Sequence, residues 1–115
     1  VLYPALPDAP GHAIWKRDFT GACGLFAVQL RPMAEQAVTA MLDGMNLFGM
    51  GFSWGGFESL ILLTNPGKDR TAKPWQGRGP LLRLHIGLEN PEDLIADLEA
   101  GFERMRRELG AVCAK

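Results

Sequence analysis

Residues 81–110 constrain the fold most, because a two-residue alternation runs straight into a helical stripe. Leu82, Leu84 and Ile86 alternate with Arg83 and His85, which predicts a strand over Leu81–Gly87 with one apolar face. Asn90 stands where an N-cap belongs, Pro91 takes the first helical position, and Glu92 and Asp93 fill the first turn. Leu94, Ile95, Leu98, Phe102, Met105 and Leu109 then form one apolar stripe, with Gly110 placed to end the helix. Arg104, Arg106 and Arg107 form the only basic cluster, and near a helix end they complement its dipole. A one-sided strand and a one-sided helix each need a second layer to cover them.

The rest of the chain supplies that layer. Pro4, Pro7, Pro10 and Gly11 keep residues 1–12 in an extended or turning path. Ala13–Phe19 has room for one or two helical turns, with Trp15 packed beside solvated Lys16 and Arg17. Gly21 and Gly24 punctuate the chain before a strand over Leu25–Leu30. Pro32 introduces a helix carrying Ala34, Ala37, Val38, Met41 and Leu42 at helical spacing, closed by Gly44. Leu47–Phe52 reads as a second strand, weakened by Gly49 and Gly51, and Glu58–Thr64 as a third. Asn65–Gly79 reads as a surface loop. The expected fold is a two-layer α/β sandwich (α+β). Its small, mostly antiparallel or mixed sheet has about four strands, with helices on one face, since connections this short exclude parallel crossovers. The chain reads as one domain, with 1–20 as a lead-in segment and 21–115 as the α/β core.

Composition removes several function classes. A formal net charge of −1 gives no electrostatic basis for nucleic acid or an anionic membrane. No apolar run approaches the roughly 18 residues of a transmembrane helix. The two cysteines, Cys23 and Cys113, sit at no metal-ligand spacing. They suggest no disulfide framework, in keeping with a reducing cytoplasm. Cys23 reads as a small packed residue. The start has no initiator methionine and no signal-peptide pattern, and looks like a cut from a longer chain.

Arg83 carries the chemistry. A guanidinium flanked by leucines on a strand is costly unless it meets an anion or reaches water. Its planar fork suits a carboxylate, which it holds by two parallel hydrogen bonds. The plainer alternatives are a solvent-facing arginine, or one paired with Glu58 or Glu89. Ser53 and Trp54 precede Gly55 and Gly56 in a glycine-dense turn that can offer a hydroxyl and backbone N–H groups to a small anion, or can simply bend the chain. Gly51-Phe-Ser-Trp-Gly55 also satisfies the G-x-S-x-G pattern, and chain order permits Ser53, Asp69 and His85 as a triad. A hydrolase of that type needs a longer parallel sheet than 115 residues supply. His85 is then a neighbour of Arg83 on one face, or a structural histidine. No phosphate loop, dinucleotide fingerprint, zinc spacing or carboxylate pair is present.

Several segments together carry a family resemblance: Tyr3-Pro-Ala-Leu6, Gly11-His-Ala-Ile-Trp-Lys-Arg-Asp-Phe-Thr-Gly21, Gly24-Leu-Phe26, Phe52-Ser-Trp-Gly-Gly-Phe-Glu-Ser-Leu60, Leu82-Arg-Leu-His-Ile-Gly-Leu-Glu89 and Asp93-Leu-Ile-Ala-Asp-Leu-Glu99. They resemble the C-terminal domain of bacterial enzymes of the Cys/Met metabolism family, which depend on pyridoxal 5'-phosphate and have fold type I. Ser-Trp-Gly-Gly and Arg-Leu-His-Ile-Gly are similar to the cystathionine β-lyase branch. The likeness covers nearly the whole chain, with Asn65–Gly79 its least distinctive part.

The resemblance implies that Arg83 binds the α-carboxylate of an amino-acid substrate. It implies that Ser53 and the Trp54 backbone support that carboxylate or the catalytic lysine. Elimination needs the Cα–H bond perpendicular to the cofactor plane. A carboxylate clamp sets that angle while the cofactor acts as electron sink. It also implies α,β-elimination of cystathionine in methionine biosynthesis, by a cytoplasmic homo-oligomer that is typically a tetramer. The cofactor would be held mainly by the enzyme's own large N-terminal domain. None of Lys16, Lys68, Lys73 or Lys115 sits in the family's lysine motif, so no catalytic lysine and no cofactor-binding residue is assigned here. No metal is implied. The isolated chain should be inert and should self-associate through apolar surface meant for that larger domain. The alternatives are a γ-synthase, γ-lyase or methionine γ-lyase of the same family, or a stand-alone binding module.

Overall fold

The strand predicted most clearly lies at the centre of the sheet. β1 (Leu25–Gln29) and β2 (Leu60–Thr64) both pair antiparallel with β3 (Leu81–His85), giving a three-stranded sheet ordered β1-β3-β2. The computed structural model describes residues 1–52 and 55–113, the last two by backbone alone. α1 (His12–Asp18), α2 (Glu35–Asp43) and α3 (Pro91–Cys113) complete the fold.

Register sorts the side chains. Leu84 stands between Phe26 and Ile61, and Leu82 between Val28 and Leu63. This face meets Ala37, Val38, Met41 and Leu42 of α2 and Leu94 and Met105 of α3 in one continuous core. Met41, Ile61, Leu82 and Val38 are fully enclosed there, and burial of a side chain of that size contributes about 2 kcal/mol. The opposite face carries Leu25, Ala27, Leu60, Leu62, Arg83 and His85, each of them half-buried.

The two-layer arrangement and the antiparallel sheet follow the expectation, with three strands where about four were expected. Leu47–Phe52 is not a strand; among the described residues its backbone pairs with the sheet through one isolated bridge, between Gly49 and Leu60, while Phe48 packs in the core. The reason is Asp97 of α3. Its carboxylate accepts hydrogen bonds from the backbone N–H groups of Asn46 (3.0 Å), Leu47 (2.8 Å) and Phe48 (3.3 Å), which a strand ladder would require. At the other edge Leu2 forms a bridge to Ala27, so the proline-rich start lies along β1.

Further differences concern helix ends and one cysteine. Asn90 caps α3 as expected, its side-chain oxygen accepting from the Glu92 N–H at 2.9 Å. The helix then continues through Gly110 to Cys113. Arg104 therefore lies well inside α3 and caps a different helix. It donates to the carbonyls of Ala40 (3.3 Å) and Met41 (3.2 Å) at the end of α2. Gly44 leaves room for this, since a Cβ there would lie 2.3 Å from the Arg104 Nε. Cys23 is exposed rather than packed. It belongs to the bend before β1, where its carbonyl accepts from the Tyr3 hydroxyl at 2.7 Å. Within the expected loop, Pro66–Lys68 makes a single 3₁₀ turn. No helix among the described residues is long and apolar enough to cross a membrane.

Candidate functional site

Arg83 is placed by register on the half-buried face of the sheet, between Ala27 of β1 and Leu62 of β2. Neither neighbour can pair with a guanidinium. Among the described residues Arg83 has no hydrogen-bond or salt-bridge partner. Both anionic partners considered from sequence are otherwise placed. Glu58 is exposed. Glu89 commits both oxygens to Ser59, accepting from its backbone N–H and from its hydroxyl, each at 2.7 Å. Those donors, with Glu89's own N–H and the nearby His85, outweigh desolvation and hold the Glu89 carboxyl below the usual carboxylate range.

His85 is the last residue of β3 and shares the face of Arg83. Its Nε2 lies 3.4 Å from the Gly56 carbonyl, and its Nδ1 is buried without a partner among the described residues. The 55–58 turn sits directly on the imidazole, so a Cβ at Gly55 would be 2.5 Å from the His85 Cδ2. Ser53 and Trp54, the other two expected ligands, lie outside the described residues. In sequence they immediately precede this turn.

Pattern reading missed Ser59. It is fully buried and joins residues 57–59 to residues 87–89, because its hydroxyl also accepts from the Gly87 N–H at 2.9 Å. Gly87 has to be glycine for the chains to meet. A Cβ there would lie 2.2 Å from the Phe57 carbonyl oxygen. The sequence signal was a serine directly before an aliphatic strand and a glutamate directly before a helix cap. Their partnership spans 30 residues and is invisible to local periodicity. Asp97 was missed too, since it interrupts an otherwise apolar helix face. Burial pushes its carboxyl up, but the N–H groups of Leu47, Asn46 and Phe48 prevail and hold it low.

Two other features border this face of the sheet. A cleft of about 800 Å³ opens along β2 and the start of β3, among Phe52, Leu62, Leu63, Lys68, Trp75 and Arg78, and so reaches the β2 neighbour of Arg83. Among the described residues no cluster of histidine, cysteine, aspartate and glutamate could hold a metal ion. Around the 55–58 turn, Phe52, Phe57 and Leu88 are 86%, 70% and 84% exposed. The Leu88 N–H donates to the Phe57 carbonyl at 2.8 Å, which sets those two residues side by side.

A cystathionine β-lyase of Salmonella typhimurium is 50% identical over 109 residues, covering 91% of this chain and 28% of that protein. One from Bordetella avium is 52% identical over 105 residues, with 90% and 26% covered. The chain therefore spans about a quarter of the length of the curated relatives it matches. Among solved structures, a cystathionine gamma synthase from Xanthomonas oryzae pv. oryzae, in complex with aminoacrylate and cysteine, superposes with a TM-score of 0.74. It is 36% identical, over 91% of this chain and 28% of that one. The profile of one family, described as Cys/Met metabolism PLP-dependent enzyme, matches residues 1–103. The chain belongs to that family.

Proposed function

We propose that this chain serves as the C-terminal, substrate-carboxylate-binding domain of a cystathionine β-lyase. The whole enzyme would cleave cystathionine to homocysteine, pyruvate and ammonia. The observation that carries the reading is Arg83: a half-buried guanidinium between Ala27 and Leu62, with Glu89 tied to Ser59 instead of neutralising it. Such a cation is stabilised by an incoming carboxylate, and a bidentate hold fixes orientation as well as charge. Relatives at about half identity bearing the β-lyase name support the choice of reaction.

The described residues fit the substrate end of this chemistry. When bound, pyridoxal phosphate supplies the electron sink for elimination. Lys16, Lys68 and Lys73 are exposed, and Lys68 lines the cleft along β2. We therefore assign the cofactor's attachment to no residue described here. The role of Arg83 is to hold one end of the substrate. The exposed Phe52, Phe57 and Leu88 suit contact with a large N-terminal domain of the same enzyme. The parent is expected to be a homo-oligomer.

The full-length protein tests this. Arg83→Lys should raise KM for cystathionine about tenfold or more, since a point charge replaces a planar fork. An unchanged KM would sink the reading. The isolated chain should neither turn over cystathionine nor take up the cofactor covalently. The fold match to a gamma synthase favours one second reading, a γ-reaction. Product analysis separates them: pyruvate supports β-elimination and 2-oxobutyrate the γ-reaction.

A further inference from the structure

We propose that Glu89 is a positioning residue for the carboxylate site, acting through Ser59 and Gly87 on the turn beside Arg83 and His85. The inference rests on the carboxylate reading of Arg83.

Beyond the end of the sheet, residues 57–59 and 87–89 are joined by four hydrogen bonds. Glu89 accepts twice from Ser59 at 2.7 Å, the Ser59 hydroxyl accepts from the Gly87 N–H at 2.9 Å, and the Leu88 N–H donates to the Phe57 carbonyl at 2.8 Å. Ser59, at the centre, is 0% exposed. The approach at Gly87 is closer than any side chain would allow. The turn that follows Ser53 and Trp54 in sequence is thereby pressed onto His85, two residues from Arg83 on one strand face.

The arrangement serves an anion site by holding one wall at a set height above the open face of the sheet. Scaffolding alone does not call for a carboxylate, since well-packed apolar groups often stabilise as much as a buried polar network. An ionised acceptor that takes two hydrogen bonds from one serine fixes that wall more firmly than a neutral one.

The test is steady-state kinetics of the full-length holoenzyme with Glu89→Ala, Ser59→Ala, Arg83→Lys and Arg104→Leu, the last a remote variant that uncaps α2. Binding of the substrate amine lacking its carboxylate is measured in parallel. Glu89→Ala and Ser59→Ala are expected to raise KM about tenfold with kcat little changed. They should leave amine binding unaltered. Arg104→Leu should lower thermal stability without moving KM. If Glu89→Ala lowers stability but leaves KM in place, or weakens the amine equally, Glu89 positions nothing. If Arg83→Lys raises KM and Glu89→Ala does not, positioning alone falls. If Arg83→Lys has no effect, the carboxylate reading falls and takes positioning with it. Should Glu89→Ala fail to fold, Glu89→Gln decides. It keeps one acceptor oxygen, and a KM rise of about threefold is expected, an unchanged KM counting against the proposal.

Discussion

Leu82 and Leu84 are 1% and 2% exposed, closed over by α2 and α3, whereas Arg83 and His85, interleaved with them in β3, stay only half-buried on the other side. One five-residue strand thus presents a face that this chain completes by itself and a face that it leaves open. The closed face is all hydrocarbon, and its gain is non-directional burial. The open face mixes aliphatics with a cation that has no described partner, so its energetics depend on what arrives there. Changes on the first face should act on folding, and changes on the second on ligand binding.

The largest effect should follow from emptying the closed face. Ile61→Ala should cost about 3 kcal/mol, because Ile61 is fully enclosed and its loss leaves a cavity. Leu62→Ala, the adjacent residue on the open face, should cost less than about 1.5 kcal/mol. Urea unfolding of both variants checks the contrast. Equal costs would mean that the open face is a second core.

Next comes Asp97→Ala, at about 2–3 kcal/mol, since it strips the carboxylate from three backbone N–H groups, of which that of Phe48 is buried. The same urea experiment measures it. A cost below about 0.5 kcal/mol would show that water replaces the carboxylate without loss.

The elements that sequence made legible are those whose neighbours are local. Leu82, Leu84 and Ile86 against Arg83 and His85 announced β3, and Asn90-Pro91 announced the start of α3. Arg83 stood out because leucines flank it. What stayed hidden is held by polar side chains reaching across the fold. Asp97 diverts residues 46–48 from a strand, Arg104 caps a helix 63 residues away, and Ser59 meets Glu89 across 30. A charged residue on a helix reads as a solvated face until its partner is known, so periodicity assigns it the wrong task. Gly110 failed for a related reason. Glycine weakens a helix by only about 1 kcal/mol, so it does not have to end one.

Acid should act on both faces through these same carboxylates. Glu89 and Asp97 titrate below their ordinary range in the folded chain. Each therefore binds protons more readily when unfolded. Their contribution is fully present above about pH 5 and is lost as pH falls through the unfolded value toward the depressed folded one. Thermal midpoints should drop between about pH 5 and 3. Asp97→Asn and Glu89→Gln should each flatten that slope. A slope unchanged in both variants would assign the acid sensitivity to other groups.

The smallest effect on folding is expected at Arg83, and it is the sharpest test of the contrast. Among the described residues the guanidinium beside Ala27 and Leu62 has no ion pair to lose, while its stem packs as hydrocarbon. Arg83→Met keeps that stem and discards the charge. Its unfolding free energy should lie within about 0.5 kcal/mol of the parent or slightly above it, because no buried charge is left uncompensated. Binding of a carboxylate-bearing substrate by the full-length enzyme should fall by far more. Free energy retained while binding is lost would show a residue kept at some cost to the fold for a ligand's benefit. If stability falls by 2 kcal/mol or more, about the cost of breaking an interior ion pair, Arg83 holds the fold together, and the two faces of β3 differ less than their burial suggests.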